Sequence, residues 1–491
     1  MSRSPSRKLL EAAPKFGSVA PLAFFAIVYS ALSASIYFSL GVVLDRSAGW
    51  ILLVFVAAGI LLLLAVLTYA EGASLYPEPG GGLVFARYAF NELVSFIAGW
   101  AILLDYLILL AIAAVAATNY AAAFWGELGV GTVEVIAAII CLIGVGIVNT
   151  VGLTAARRKR IAFFSLIDLV LQMLVIVVGL WLVFDPEILA HPITNNLVPF
   201  SPDVLYALTI AIVALTGLEA AAGISDEANL GRRQLRSLVG YGTGVSILLY
   251  VGIGVVASSV LLADGTQFLG RPGLIKAPML ELVRSYGEGW TTDGLAYVVA
   301  LVAVILLIVA CSSTMLGLSR LGYSLATNRQ IPSAFGRLHP RFATPYVLIG
   351  LAVVISSVAV ATTSFSELIG IYAFGAMLAF TLAHTSICVL RFREPDRPRA
   401  FKIPLSIPIG RGSLPIPAAI GAVTSLALLV AVVVVRPSAA YVGLGWMAAG
   451  LLFYVAYRKG GGKPLLSRIT VPEKALRTEM PEGEFGSILV P

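Results

Sequence analysis

Charge in this chain is confined to short intervals, and between them run apolar stretches of roughly 20 residues or more, long enough as helices to cross a hydrocarbon core of about 30 Å. Twelve such runs can be marked: Phe16–Leu44, Ala48–Ala70, Val94–Trp125, Val135–Ala156, Ile161–Phe184, Val204–Ser225, Ser237–Ala263, Gly294–Ser319, Phe342–Ser366, Leu368–Leu390, Gly412–Val435 and Pro437–Tyr457. Of the 491 residues 59% are hydrophobic and only 12% charged, too few polar groups to cover a water-soluble surface. In lipid every backbone N–H and C=O must be paired within the chain, so runs of this length become helices. The expected fold is an all-α polytopic membrane protein of about 12 transmembrane helices.

Lys and Arg decide the orientation. With the N-terminus in the cytoplasm, all 33 basic residues fall on the inner side except Arg46, Arg271, Lys276, Arg284 and Arg436. Both termini are then cytoplasmic, in a multi-pass protein of the cell membrane. The first run lacks the short apolar core and small-residue cleavage pattern of a signal peptide and reads as a retained span. The net charge of +7 follows from this topology, with clusters such as Arg157-Arg158-Lys159-Arg160 facing anionic lipid, and calls for no nucleic-acid partner. Cys141, Cys311 and Cys388 lie far apart inside apolar runs and read as small buried hydrophobes, without metal-ligand spacing or a disulfide framework.

Residues 1–15 form a short cytoplasmic segment, 16–457 the membrane domain and 458–491 a cytoplasmic tail. Only Asp185–Asp203, Asp264–Asp293 and the Pro- and Arg-rich Arg391–Arg411 are long loops. The tail ends in Phe485-Gly486-Ser487-Ile488-Leu489-Val490-Pro491. That string resembles the first strand of the universal stress protein domain, which implies that the natural chain continues.

Departures from unbroken Leu, Ile and Val inside a span carry information, because unwound backbone at membrane depth is tolerated only where protein or a ligand re-satisfies it. The first span holds Tyr29-Ser30-Ala31-Leu32-Ser33-Ala34-Ser35-Ile36-Tyr37, a mid-membrane cluster of small and hydroxyl residues. Such residues suit a helix break lined for a ligand, and equally close helix packing. The sixth span has a second candidate break at Thr216-Gly217, with Glu219 just after it, where a half-helix N-terminus favours negative charge. Spans one and six are five apart, an odd number, so the matching helices run in opposite directions. Two inverted five-helix repeats, spans 1–5 (about 16–184) and 6–10 (about 204–390), followed by spans 11 and 12 (about 412–457), fit that arrangement.

Ionisable residues inside the runs are few: Asp105, Asp168, Glu219 and His384. An unpaired charge at a helix centre costs at least about 2.5–3.5 kcal/mol, so these side chains face a cavity or a partner. Counted from the inner ends of their spans, Asp168 and His384 both lie about 10 Å deep. Ser312 and Ser313 reach a similar level, so a carboxylate and two hydroxyls would converge on a cation such as Na⁺ if spans five and eight adjoin. The competing reading makes Asp168 a neutral, hydrogen-bonded carboxyl. Asp105, about 20 Å in, and His384 read as packed or paired residues with a possible accessory role in proton movement.

The inner loops carry the most specific strings. Tyr76-Pro77-Glu78-Pro79-Gly80-Gly81-Gly82-Leu83-Val84-Phe85-Ala86-Arg87-Tyr88-Ala89-Phe90, the stretch Ser319–Pro332 with Leu338-His339-Pro340-Arg341, and Arg397-Pro398-Arg399-Ala400-Phe401-Lys402-Ile403-Pro404 are similar to the loops after spans two, eight and ten of the amino acid–polyamine–organocation permeases. The resemblance runs from about Phe16 to Tyr457. It implies a secondary transporter working by alternating access, in which unwound backbone in spans one and six holds an amino acid's carboxylate and amine. Carried over by position, the binding segments fall on Ser33-Ala34-Ser35 and Gly217-Leu218-Glu219, and the candidate substrate-binding residues are Ala31, Ser33, Ala34, Ser35, Val213, Thr216, Gly217 and Glu219.

Several departures matter. Serines stand where the family has two glycines in span one, and Asn229-Leu230-Gly231-Arg232 replaces an Asn-Pro-x-Arg string. The Lys that some proton-coupled members carry in span five is matched here by Asp168, a reversal of charge. Coupling to H⁺ or Na⁺ through Asp168, Ser312 and Ser313 is expected, with no cofactor and no resident metal. The substrate is an α-amino acid or, alternatively, a polyamine or other organic cation whose second amine could pair with Glu219. No Gly-rich filter or acid ring suggests a channel, and the three histidines offer no catalytic constellation, so the chain is not expected to be an enzyme.

Overall fold

The computed structural model describes residue 29 and residues 33–47, 49–76, 80–152, 155–189, 198, 200–215, 232–271, 273–399 and 401–467. Among these the regular structure is helical except for one two-stranded hairpin. The helices are α1 (Ile36–Arg46), α2 (Ile51–Leu75), α3 (Gly82–Ala89), α4 (Glu92–Ala121), α5 (Gly131–Val151), α6 (Ala155–Leu182), α7 (Pro202–Ala214), α8 (Arg232–Asp264), α9 (Pro278–Arg284), α10 (Trp290–Thr327), α11 (Tyr346–Thr362), α12 (Phe365–Arg393), α13 (Ile416–Val435) and α14 (Pro437–Gly460). Short helical turns occupy parts of the connections.

Nine of these helices, α2, α4, α5, α6, α8, α10, α12, α13 and α14, contain a window long and apolar enough to cross a membrane. The runs Phe16–Leu44, Val204–Ser225 and Phe342–Ser366 hold the shorter α1, α7 and α11. The membrane-length helices carry exposed Leu, Ile and Val, for instance Ile60 of α2, Ile140 of α5, Val170 of α6 and Leu452 of α14, which only lipid solvates without penalty. Exposed Trp125, Trp181 and Trp290 all lie at the helix ends that also hold Arg46, as an interfacial aromatic belt requires. The chain is a multi-pass membrane protein.

Helix α4 is the central post. Its apolar window is 89% buried, against 28% for α5 and α14 and 33% for α13. The run from Ala111 to Ala117, five alanines with one Ile and one Val, lets neighbours approach closely. A side chain at Gly375 of α12 would lie 3.1 Å from the Ala101 carbonyl of α4. Asn91 caps the helix by accepting from the Val94 N–H at 3.0 Å. On its far side the stacked indoles of Trp100 and Trp446 donate to one another's backbone carbonyls at 2.9 and 3.0 Å, pinning α14 to α4.

The loop after α2 is not a bare turn. Gly80 and Gly81 take positive φ values of 134° and 53°, and the chain then enters the buried helix α3. The long connection Asp264–Asp293 holds α9. The Pro- and Arg-rich segment after α12 contains the hairpin, Ser406–Ile409 paired antiparallel with Gly412–Pro415.

Candidate functional site

The helix of the first run is interrupted where small residues cluster. Ser33 is helical, Ala34 and Ser35 form a turn, and α1 starts at Ile36, its first bonds running from Tyr37 N and Phe38 N back to the carbonyls of Ala34 and Ser35. Ser33, Ala34 and Ser35 are all buried. Within the small-residue cluster, the described residues thus hold a turn at Ala34–Ser35. Helix α7 packs on α1 and stops at Ala214, where Leu215 turns out of the helix. Two tyrosines reach the carbonyls at that end: Tyr372 of α12 donates to Val213 O at 3.2 Å and Tyr250 of α8 to Ala214 O at 3.3 Å. Ala31, Thr216, Gly217 and Glu219 lie outside the described residues.

Asp168 of α6 sits beside the break, with no exposed surface. Its Oδ2 accepts from the Tyr29 hydroxyl at 2.8 Å and its Oδ1 from the Tyr37 hydroxyl at 2.6 Å. Gln172, one turn along α6, donates its amide to both oxygens at 2.9 and 3.1 Å. A carboxylate has about four lone-pair positions, and these contacts fill them. The arrangement holds Asp168 with neutral donors alone.

Ser312 and Ser313 lie on α10, which packs against α6 as the expected cation site requires. The Ser312 hydroxyl, however, accepts from Asn149 of α5 at 2.9 Å, and Ser313 is half-buried. His384 is buried between α2 and α13: its Nδ1 lies 2.8 Å from the Thr68 hydroxyl, and its ring fills the space above Gly421. Thr68 spends its only hydrogen on Leu64 O, so Nδ1 is the donor in this pair. Asp105 is half-buried on the face of α4 against which Gly375 packs.

Two features escape a reading of apolar runs. At the end of the bundle where α2 finishes, Glu71 is fully buried and accepts from Arg391 Nε and Nη2 at 2.5 and 2.7 Å, Arg399 Nη1 at 3.1 Å and Ile403 N at 2.8 Å. Beside it Tyr76 donates to Glu394 at 2.8 Å, stacks on Tyr88 and carries Arg397 over its ring. Burial and the bond to Glu394 push the Tyr76 phenol above its ordinary value, so it remains a donor at physiological pH. Arg397, Arg399, Phe401 and Ile403 of the loop string therefore form a clamp joining α2 to α12. The signal available was Glu71 itself, an acid one residue past a run ending at Ala70.

At the opposite end, the connection after α8 closes over α1. A side chain at Gly41 would lie 2.0 Å from Leu274 O, so only glycine lets the backbones meet there. Tyr120 of α4 donates to Tyr37 O at 2.8 Å and accepts from Met279 N at 3.1 Å, while Lys276 pairs with Glu134 of α5 at 2.7 Å.

A multi-pass helical bundle with an interrupted helix at its buried centre, a neighbouring helix ending beside it and a saturated carboxylate across from both defines a membrane carrier rather than an enzyme. The profile of the amino acid permease family matches residues 21–456. The chain belongs to that family, within the amino acid–polyamine–organocation superfamily. It is 25% identical over 427 residues to a branched-chain amino acid permease of Bacillus subtilis, covering 83% of this chain and 86% of that one. It is 27% identical over 388 residues to the cationic amino acid transporter 4 of Mus musculus, covering 75% of this chain and 58% of the longer relative. A methylthioribose transporter of Bacillus subtilis is 22% identical over 393 residues, covering 76% and 80%.

Proposed function

We propose that this protein carries an α-amino acid across the cell membrane by alternating access, with the substrate held between the break at Ser33–Ser35 and the end of α7 at Val213–Ala214. The break packed against that helix end, in a chain of the amino acid permease family, carries the reading. The positive end of the α1 dipole suits the substrate carboxylate, and carbonyls at the end of α7 suit its ammonium. Thr216, Gly217 and Glu219 complete the second break in this reading. The twelve apolar runs then cross the membrane with both termini in the cytoplasm, as two inverted repeats and two further spans. The Glu71 clamp lies on the cytoplasmic side and the Gly41 contact outside. Asp168 takes part in coupling to H⁺ or Na⁺, with Ser312 and Ser313 as further oxygens for a cation.

Purified protein in liposomes, offered labelled amino acids under imposed pH or Na⁺ gradients, tests this. Accumulation of one amino acid class, competed by its unlabelled form, is expected, and a panel of branched-chain, cationic and polyamine competitors assigns the class. Absence of competition by any amino acid or amine would overturn the substrate reading. Asp168→Asn is expected to lose gradient-driven accumulation while keeping exchange of substrate for substrate. Full accumulation by that variant would remove Asp168 from coupling.

A further inference from the structure

Tyr29 and Tyr37 stand on opposite sides of the interruption in the first run, and their hydroxyls end on the two oxygens of one carboxylate. Eight residues separate them, which in continuous helix amounts to about 12 Å along the axis and about 80° around it. Two phenol arms can meet across that interval only by leaning toward each other, and the meeting point is level with residue 33. That is where Asp168 lies, beside the Ser33–Ser35 turn. Gln172 clamps the carboxylate from behind and stops it from turning toward one tyrosine at the expense of the other.

We propose that Tyr29 and Tyr37 are positioning residues which, through Asp168, staple the two sides of the break to α6 and hold the Ser33–Ser35 turn in the shape its ligand meets. The assignment of a ligand to that turn rests on the transport reading above; the staple itself does not. Without it, the turn would have to be ordered at each binding event, and the lost preorganisation would appear as weaker substrate binding. The staple differs from an ordinary packing contact because it has one shared acceptor. Removing either hydroxyl frees one side of the break, and removing the second then adds little. An asparagine at 168 keeps the staple: its carbonyl accepts from one phenol and its amide donates to the oxygen of the other.

The test is a variant series, Tyr29→Phe, Tyr37→Phe, the double variant, Asp168→Ala and Asp168→Asn, read two ways. Hydrogen exchange over residues 30–37 of the purified, substrate-free protein reads the staple directly. Faster exchange is expected in both phenylalanine variants and Asp168→Ala, and near wild-type exchange in Asp168→Asn. Substrate-for-substrate exchange in liposomes reads the consequence. KM is expected to rise about tenfold in each phenylalanine variant, the loss of one charge-assisted hydrogen bond, with maximal rate held within about twofold. The double variant and Asp168→Ala should match the singles, and Asp168→Asn should stay within about threefold of wild type. Unchanged hydrogen exchange in the phenylalanine variants would overturn the staple, as would a double variant whose KM change equals the product of the single changes. Altered exchange in a protein that moves no amino acid would leave the staple standing and remove the transport reading instead.

Discussion

Two buried carboxylates, Asp168 and Glu71, are each saturated by hydrogen bonds, yet their donors differ in kind. Asp168 at the break is held by two phenols and an amide, all neutral. Glu71 at the end of α2 is held by two guanidiniums and a backbone N–H. A neutral donor that lets go leaves one hydroxyl to find another partner. Arg391, 1% exposed, cannot let go without leaving a buried positive charge. The Glu71 cluster therefore has the chemistry of a fixed joint between α2 and α12, and the Asp168 cluster that of a joint whose partners can be exchanged. A carrier needs both kinds: elements that keep their relation through a cycle, and a centre that does not.

That contrast sets the order of expected effects. Glu71→Ala strands two buried arginines and is expected to destabilise the fold by about 3–5 kcal/mol, the largest change, read as a steep fall in the apparent melting temperature of detergent-solubilised protein. Arg391→Lys keeps the charge but loses the two-pronged contact and should destabilise by about 2 kcal/mol in the same measurement. Tyr120→Phe removes the bonds to Tyr37 O and from Met279 N, with an expected loss of about 1–3 kcal/mol and faster labelling of a cysteine placed near Met279. Asp168→Asn should shift stability by less than about 1 kcal/mol, since its neighbours can re-pair with an amide. If Asp168→Asn melted as early as Glu71→Ala, the two clusters would be joints of one kind and the comparison would fail.

Much of this was legible along the chain. The apolar runs marked where helices form, and the string of small and hydroxyl residues before Ile36 marked a place where either a turn or close helix packing was open, because Ser and Ala suit both. Asp168 stood out as an acid within lipid-length sequence. Its partners did not: Tyr29 and Tyr37 are 139 and 131 residues away and look like ordinary aromatic residues of a span. Ser312 was legible as a hydroxyl at the right depth, but its bond to Asn149 depends on which face of α10 meets α5. Glu71 fell just outside a run defined by hydropathy, so its burial under the Arg397–Pro404 string was hidden.

By itself the sequence determined the solvent and the helices, because each depends on local composition and on the length of chain that lipid can accept. Only the tertiary structure decided the pairings: which hydroxyls saturate Asp168, which arginines hold Glu71, and that Gly41 rather than another glycine meets the backbone at Leu274. The reason is physical. Burial in lipid penalises any unpaired polar group wherever it lies, so the sequence shows that a partner must exist. Which partner it is depends on how helices distant in sequence are turned and packed, and that is settled by the summed contacts of the whole bundle.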